Sequence, residues 1–382
     1  MTSERVARAQ EILGRRASKT GVFPSYDEAV RRLAEEQALV FYTGYDPTGD
    51  NLHIGHTVSL LLLKSLARDL GHEIIILFGD FTARIGDPSE KESARRVLTE
   101  EEIDAHMQTW DRQVAALLGD VPYTIKYNSE WLSGMNFADV IKLSAKVTVQ
   151  QMLVRDMFQE RLKKERPIYL NEFLYPLAQG YDSVAMRVDG EVGGSEQTFN
   201  MLVGREFEKE ILGKDKLVLT TPLIVDSRSG KKMSKSEGEV IAITDSPQEI
   251  RRKILDVDDG MIRSLFELCT EKEQEWIDAH CPQGAKPEDP RAAKEELAAE
   301  LIRMYHGGDA VAQASSALEI EQTGPLDRVL KESNLAASLG EAKRLVEQGA
   351  VQVNGTRVTR WDTEIGHGDA LQIGKGKFVK VK

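Results

Sequence analysis

Cysteine is nearly missing from this chain: 382 residues hold two, Cys269 and Cys281. Without a second pair they support neither a disulfide framework nor a thiolate zinc site, so they read as ordinary structural thiols of a reducing compartment and no metal centre is expected. Long apolar runs are missing as well. No window reaches the length that crosses a bilayer, and residues 1–16 alternate charge with small apolar side chains instead of forming the apolar core of a secretory signal. The expectation is a cytoplasmic protein with no membrane contact. Nor is there an excess of positive charge: 50 Lys and Arg against 62 Asp and Glu leave a net charge of −12, a poor overall match to nucleic acid.

What is present is a chain long enough for two or three domains, with 41% hydrophobic residues to build their cores. The charge is unevenly spread. Residues 325–382 carry ten Lys or Arg against seven Asp or Glu, so the last segment is basic while the rest is strongly acidic. A run of this kind is either a solvated face or a contact for RNA.

Apolar runs at 39–45, 74–78, 123–126, 184–188 and 217–219 read as strands separated by amphipathic helices, which predicts a mostly parallel α/β sheet. Residues 135–164 are helical and charge-rich and add no strand. This reads as an insertion, within about 130–170, that is either a dimer interface or a solvated helical hairpin. Beyond residue 245 only helices are expected, at 247–255, 261–268, 271–279, 290–305 and 309–320, with 323–325 as a linker. The last segment has its own pattern: a short helix at 339–348, a hairpin turning at Asn354-Gly355, and strands within 371–381.

Two motifs carry chemistry. The first strand runs into a turn containing Asp46, Thr48 and the sequence His53-Ile54-Gly55-His56, after which a helix begins. A helix N-terminus offers unpaired N–H groups and positive partial charge, so two imidazoles there can donate to a polyphosphate, with Gly55 letting a nucleotide lie close to the backbone. Far downstream stands Lys232-Met233-Ser234-Lys235-Ser236, flanked by Gly230 and Gly238, which would let a loop close over the triphosphate. A third feature is a polar stripe. Tyr175, Gln179 and Asp182 recur at i, i+4 and i+7, on one helix face that points either to solvent or into a pocket for an amphipathic ligand.

With these residues the chain resembles the bacterial tyrosyl-tRNA synthetases, class I aminoacyl-tRNA synthetases, over nearly its full length. The histidine motif matches that family's HIGH signature and residues 232–236 its KMSKS signature. The resemblance implies a Rossmann-like catalytic domain over 1–244, with the KMSKS loop at 230–238. An α-helical anticodon-side domain over 245–322 would follow, and then a small α+β RNA-binding module over 325–382, like that of a ribosomal small-subunit protein. It implies ATP-driven activation of L-tyrosine and transfer to tRNA(Tyr) by a homodimer, with Mg2+ accompanying ATP. The catalytic groups implied are His53, His56, Thr48, Lys232, Lys235 and Ser236. Tyr42 and Asp182 would hold the substrate phenol, Tyr175, Gln179 and Asp87 its ammonium, with Gln197 near its carboxyl group. ATP would lie along Asp46, Thr48, Gly55, His56, Glu196 and Lys235, and RNA would meet Lys343, Arg344 and Asn354. Three positions depart from the family pattern: Glu196 stands where aspartate is usual, Glu191 where many relatives carry glutamine, and Glu90 where glycine is usual. The nearest alternative is a tryptophanyl-tRNA synthetase, which shares the architecture and both signatures but not the pocket residues Tyr42, Gln179 and Asp182.

Removing residues 325–382 is expected to leave tyrosine-dependent pyrophosphate exchange intact and to depress tRNA charging. Unchanged charging at physiological salt would refute an RNA role for this segment.

Overall fold

The computed structural model describes residues 3–88, 98–225, 233, 240–315, 318–333, 335–374 and 377–382. Packing divides the chain into two compact units, one formed by residues 1–244 with 263–283, the other by residues 245–262 with 284–382.

The first unit is built on a six-stranded sheet. Its strands are β1 (Val22–Phe23), β2 (Val40–Tyr45), β3 (Glu73–Phe78), β4 (Thr124–Tyr127), β5 (Gly190–Gly194) and β6 (Leu217–Thr221), in the order β1-β6-β5-β2-β3-β4. All neighbours are parallel except β1, which runs antiparallel to β6. The chain builds outward from β2 through β3 to β4, then returns to the other side of β2 for β5 and β6. The strand order therefore reverses between β2 and β5, and such a reversal leaves a crevice at the strand C-termini, where ligands bind in open parallel sheets. β3 reads Glu-Ile-Ile-Ile-Leu-Phe and is buried from Ile74 onward, as a strand covered on both faces must be. The helix Ile54–Leu70 is likewise apolar on nearly every side and lies in the interior, ending at Gly71 in the left-handed conformation.

Four sequence expectations change. Residues 184–188 do not form a strand: Val184 to Met186 complete the helix Tyr175–Met186, Arg187 caps it with φ 55°, and the strand is the glycine-rich β5. A short apolar run does not distinguish strand from helix, and three glycines conceal a strand from a propensity reading. Gly190 is there for packing, since a Cβ would sit 2.1 Å from the Phe41 ring. The helix expected over 309–320 stops at Ser315, and Leu318–Ile320 is a strand, β7. The expected linker is paired too, as β8 (Gly324–Pro325). Finally, β1 was not anticipated at two residues long. The expected insertion is helical throughout, as Phe137–Ser144, Val149–Leu153 and Asp156–Lys163.

Residues 263–283 belong with the first unit for a clear reason. Arg15 donates to the carbonyls of Glu267 (2.8 Å), Thr270 (3.0 Å) and Lys272 (2.7 Å), and the buried Arg16 to that of Leu268 (3.2 Å). These guanidinium groups satisfy the orphan carbonyls at the end of the helix Ile262–Cys269. Cys269 and Cys281 are both buried as free thiols.

In the second unit, the helices Pro247–Asp256 and Pro290–His306 are joined by a bidentate Arg251–Glu295 pair at 2.7 and 2.5 Å. Strands β9 (Val351–Val353), β10 (Thr356–Arg357), β11 (Glu364–Ile365), β12 (Ala370–Ile373) and β13 (Lys377–Val381) follow. They form the sheet β10-β9-β12-β13-β7 and the pair β11-β8. The hairpin between β9 and β10 turns where expected, with φ 48° at Asn354 and 77° at Gly355, the two positive values a tight two-residue turn requires. The module's core is Leu326, Val329, Leu330, Val346, Val351, Leu371 and Val379 among others.

One buried group in the first unit works against stability. Glu208 is fully buried, and among the described residues neither carboxylate oxygen has a hydrogen-bond partner. Burial pushes its pKa up to about 7 from 4.5, against the pull of Lys216 and Lys214. Between these values the folded protein holds a proton that the unfolded chain has released. Stability therefore falls as pH rises through that window, and the cost is complete above it. Glu208→Gln is expected to raise stability at pH 8 by on the order of 1–3 kcal/mol, with the gain shrinking toward zero by about pH 4.5. Thermal unfolding at both pH values checks this, and an equal gain at each would contradict it.

Candidate active site

The crevice at the strand reversal is a cavity of about 550 Å3. It is lined from the C-terminal ends of β2 (Tyr42 to Tyr45), β3 (Gly79), β5 (Val192 to Gly194) and β6 (Thr221), and by the helix that carries Tyr175, Gln179 and Asp182. The polar stripe at i, i+4 and i+7 thus faces the cavity, not solvent.

Its floor is a connected set of hydrogen bonds. Tyr175 donates to Asp46 at 3.0 Å, and Thr82 donates to the other oxygen of Asp46 at 2.7 Å. Asn128 then donates to Thr82 at 2.9 Å and to Asp182 at 3.3 Å, while the Trp131 indole donates to Asp182 at 2.8 Å. The Asn128 amide cannot turn over, because its carbonyl accepts the Phe81 N–H at 2.9 Å. Asp182 is 2% exposed, and burial pushes its carboxyl well above the usual range while the two N–H donors pull it back. The phenols are pushed the same way. Burial and facing carboxylates raise Tyr42 and Tyr175 well above 10, and burial takes Tyr45 up to about 12, so all three remain protonated donors at neutral pH.

Beside Asp182 stands Tyr42, 1% exposed, with its oxygen 3.0 Å from Ser183 Oγ. The two cavity groups could share one ligand hydroxyl. Gln179 donates through Nε2 to Glu191 at 3.2 Å, and its buried Oε1 has no hydrogen-bond partner among the described residues. Asp87 accepts from Gln197 at 2.6 Å, and Gln197 in turn accepts from Asn200 at 3.0 Å. Glu196 folds back over the end of β5, its Oε2 lying 2.2 Å from where a Cβ on Gly194 would be. The extra methylene relative to aspartate is accommodated because that residue is glycine.

The histidine motif is built into a helix cap. His53 Nδ1 accepts the Gly55 N–H at 3.1 Å, and His56 Nδ1 accepts the His53 N–H at 3.0 Å, a reciprocal capping box at the start of Ile54–Leu70. With each Nδ1 accepting, the proton of a neutral ring is on Nε2. Gly55 has a packing reason of its own, since a Cβ would come within 2.9 Å of the His53 ring. The turn leading in is fixed from both sides. Gln113 accepts from Leu52 N at 2.7 Å and donates to Asp50 O at 3.1 Å, and Thr48 N donates to Asp46 O at 2.7 Å. Residues 241–243 pair with it through Ile54 N to Ile241 O at 2.9 Å and Ile243 N to Leu52 O at 3.0 Å. Lys232, Lys235, Ser236, Gly230, Gly238 and Glu90 lie outside the described residues. Met233, inside the motif, lines the cavity.

In the second unit, Lys343 sits 3.8 Å from the centre of the half-exposed Trp361 ring and 3.7 Å from Asp327, and Arg344 is exposed beside it. Asn354 is occupied locally: its amide donates to Asp369 at 2.7 Å and accepts from Ala370 N at 2.9 Å. Its side chain therefore stabilises the turn.

Sequence reasoning missed Asn128, Trp131, Thr82, Ser183 and Lys216. Asn128 and Trp131 directly follow β4, and the rule that ligands gather at strand C-termini could have found them. Nothing in the local sequence marks Lys216 as buried.

Residues 34–321 match the family described as tRNA synthetases class I (W and Y), and residues 324–371 match the S4 domain. The tyrosine–tRNA ligase of Moorella thermoacetica is 38% identical, covering 99% of this chain and 96% of its own. That of Thermotoga maritima is 38% identical, covering 94% of each. Among solved structures, the tyrosyl-tRNA synthetase of Archaeoglobus fulgidus complexed with L-tyrosine superposes with a TM-score of 0.62 at 23% identity, over 81% of this chain and 98% of that one.

Gly79 is expected to be irreplaceable at the cavity floor. A Cβ there would lie 2.1 Å from Asp46 Oδ1 and 2.3 Å from Thr82 Oγ1. Gly79→Ala should displace the Asp46 carboxylate and cost about 1–3 kcal/mol in denaturant unfolding. An unchanged midpoint would contradict the network as drawn.

Proposed function

The chain belongs to the class I tRNA synthetases for tryptophan and tyrosine, among the tyrosine–tRNA ligases, and on that premise we propose which of its groups perform the reaction. The activity is tyrosine–tRNA ligation with ATP. Tyrosine carboxylate attacks the α-phosphorus of ATP, pyrophosphate leaves, and a ribose hydroxyl at the tRNA 3′ end then takes the acyl group. The tryptophan alternative is not favoured.

In this reading the substrate phenol lies between Tyr42 and Asp182, and the observation that carries it is this pair of buried, protein-anchored groups side by side in the cavity. The ammonium meets the unpartnered carbonyl of Gln179, with Tyr175 and Asp87 beside it, and Gln197 lies near the carboxyl group. ATP lies along Asp46, Thr48, Gly55 and Glu196. The chemistry needs no enzyme nucleophile, because charge develops on the departing pyrophosphate and positioned donors are what lower the barrier. His53 and His56 supply Nε2–H groups at a helix N-terminus, where the helix dipole adds to them. Thr48 stands with them. Lys232, Lys235 and Ser236 are proposed as the further donors to the triphosphate.

Among the described residues no group of three or more His, Cys, Asp or Glu side chains could hold a metal ion. Mg2+ is proposed to come with the triphosphate, without a protein cage. A second copy of the chain is proposed to cover the helical insertion, where Phe137 is 80% and Leu170 79% exposed and Ile141, Val149 and Val154 are exposed beside them. Lys343 and Arg344 are proposed as RNA contacts of the S4 domain, with Asn354 holding the adjacent hairpin turn. Among the described residues no helix is long and apolar enough to cross a membrane, and the proposed compartment is the cytoplasm.

Pyrophosphate exchange into ATP, with tyrosine, tryptophan and phenylalanine offered separately, tests the reading. Exchange is expected with tyrosine only. Asp182→Ala should lower the tyrosine-to-phenylalanine ratio in kcat/KM by at least about tenfold, because a buried polar contact worth about 1–3 kcal/mol is lost. Exchange with tryptophan alone, or an unchanged ratio in the variant, would overturn it.

A further inference from the structure

Beneath the phenol pocket lies a charge pair that no part of the reaction uses. Lys216, immediately before β6, is 0% exposed and has its ammonium against the carboxylate of the buried Glu191 on β5. The same ammonium contacts Ser183 Oγ and lies 5.6 Å from the centre of the Tyr42 ring. Room is made for it by the helix Thr198–Leu212: a Cβ on Gly204 would come within 2.7 Å of Lys216 Nζ and 2.9 Å of Ser183 Oγ. Burying two charges costs several kcal/mol of desolvation each, and a hydrophobic pair of similar volume is often as stable. Stability alone is therefore a weak account of the pair.

Donor and acceptor capacities supply a stronger one. An ammonium can only donate, so Lys216 occupies a lone pair of Ser183. The single Ser183 proton then goes to one of two acceptors, the Tyr42 oxygen at 3.0 Å or Glu191 Oε2 at 3.5 Å. The nearer one has the normal hydrogen-bond length. With its oxygen accepting from Ser183, Tyr42 keeps its own proton to give, to the facing Glu191 carboxylate in the free protein and to a ligand hydroxyl once one enters the cavity, beside a carboxylate that accepts. Glu191 acts on the other end of the ligand. Being an acceptor as a carboxylate, it takes the NH2 of Gln179 at 3.2 Å and turns the amide oxygen into the cavity, where that buried oxygen has no partner among the described residues.

We propose that the Lys216–Glu191 pair is the positioning element of the tyrosine pocket: through Ser183 it aims the Tyr42 hydroxyl as a donor at the substrate phenol, and through Glu191 it aims the Gln179 carbonyl at the substrate ammonium. A ligand hydroxyl then meets one donor and one acceptor, which only a group that both gives and takes a proton can satisfy. This proposal rests on the tyrosine reading above, and it adds the source of the pocket's polarity. It also accounts for a glutamate at position 191. A glutamine there could present either end to Gln179, whereas a carboxylate leaves one orientation.

Two variants test it. Lys216→Met with Glu191→Gln removes both charges together, so neither is left buried alone. Ser183→Ala keeps the ion pair and deletes the hydroxyl that links it to Tyr42. Each is assayed by pyrophosphate exchange with tyrosine and with phenylalanine, with KM for tyrosine and for ATP determined separately and Tm recorded. Both are expected to lower the tyrosine-to-phenylalanine ratio in kcat/KM by at least about tenfold and to raise KM for tyrosine, with KM for ATP within about twofold of wild type. A purely structural pair would change Tm or the active fraction and leave the ratio alone. A ratio within about twofold of wild type in either folded variant overturns the proposal. If the double variant does not fold, Ser183→Ala decides. Wild-type protein that shows no tyrosine-dependent exchange would instead remove the function on which the proposal stands.

Discussion

The buried carboxylate of Asp182 is the constraint around which the cavity is organised. A carboxylate at this depth is tolerated only with partners, and it receives two: the Trp131 indole and the Asn128 amide, both from the segment after β4. Asn128 is locked in turn by the Phe81 N–H and passes its second hydrogen bond to Thr82, which holds Asp46, which holds Tyr175. Because Tyr175 and Asp182 share one helix, the chain of bonds closes on itself. It ties the β3–β4 side of the sheet to the helix preceding β5, across the crevice where the strand order reverses. The polar groups of the pocket are thus hydrogen-bonded in place without a ligand, which is the condition under which buried polar groups discriminate between ligands.

The histidine side of the cavity follows the same economy of atoms. His53 and His56 use Nδ1 to cap the helix that begins at Ile54, so folding itself fixes the tautomer that presents Nε2–H. Gly55 and Gly79 serve this arrangement by leaving space for the His53 ring and for Asp46 and Thr82, respectively. Hydrogen bonds between residues 241–243 and residues 52–54 hold the start of that helix from the other side.

Much of this was legible in the chain because it is local. The strand–turn–helix around residues 40–70, the stripe of Tyr175, Gln179 and Asp182, and the Asn354-Gly355 turn each depend on neighbours within a few residues. What was hidden depends on partners far away. β5 is a strand because β2 and β6 pair with it, and Gly190, which leaves room there for the Phe41 ring, gives no propensity signal. β7 and β8 are strands because β13 and β11 pair with them, roughly 60 and 40 residues downstream. Lys216 looks like any surface lysine until its burial is seen. Asn128 and Trp131 sit in a loop whose meaning comes from Asp182, more than 50 residues away.

The most direct test of the account is a crystal structure with L-tyrosine bound. The account predicts the phenol oxygen within hydrogen-bond distance of both Tyr42 Oη and an Asp182 oxygen, about 2.5–3.0 Å from each, with the ammonium against Gln179 Oε1 and Asn128 and Trp131 unmoved. A ligand bound in the opposite sense, or one whose hydroxyl meets neither Tyr42 nor Asp182, would contradict it.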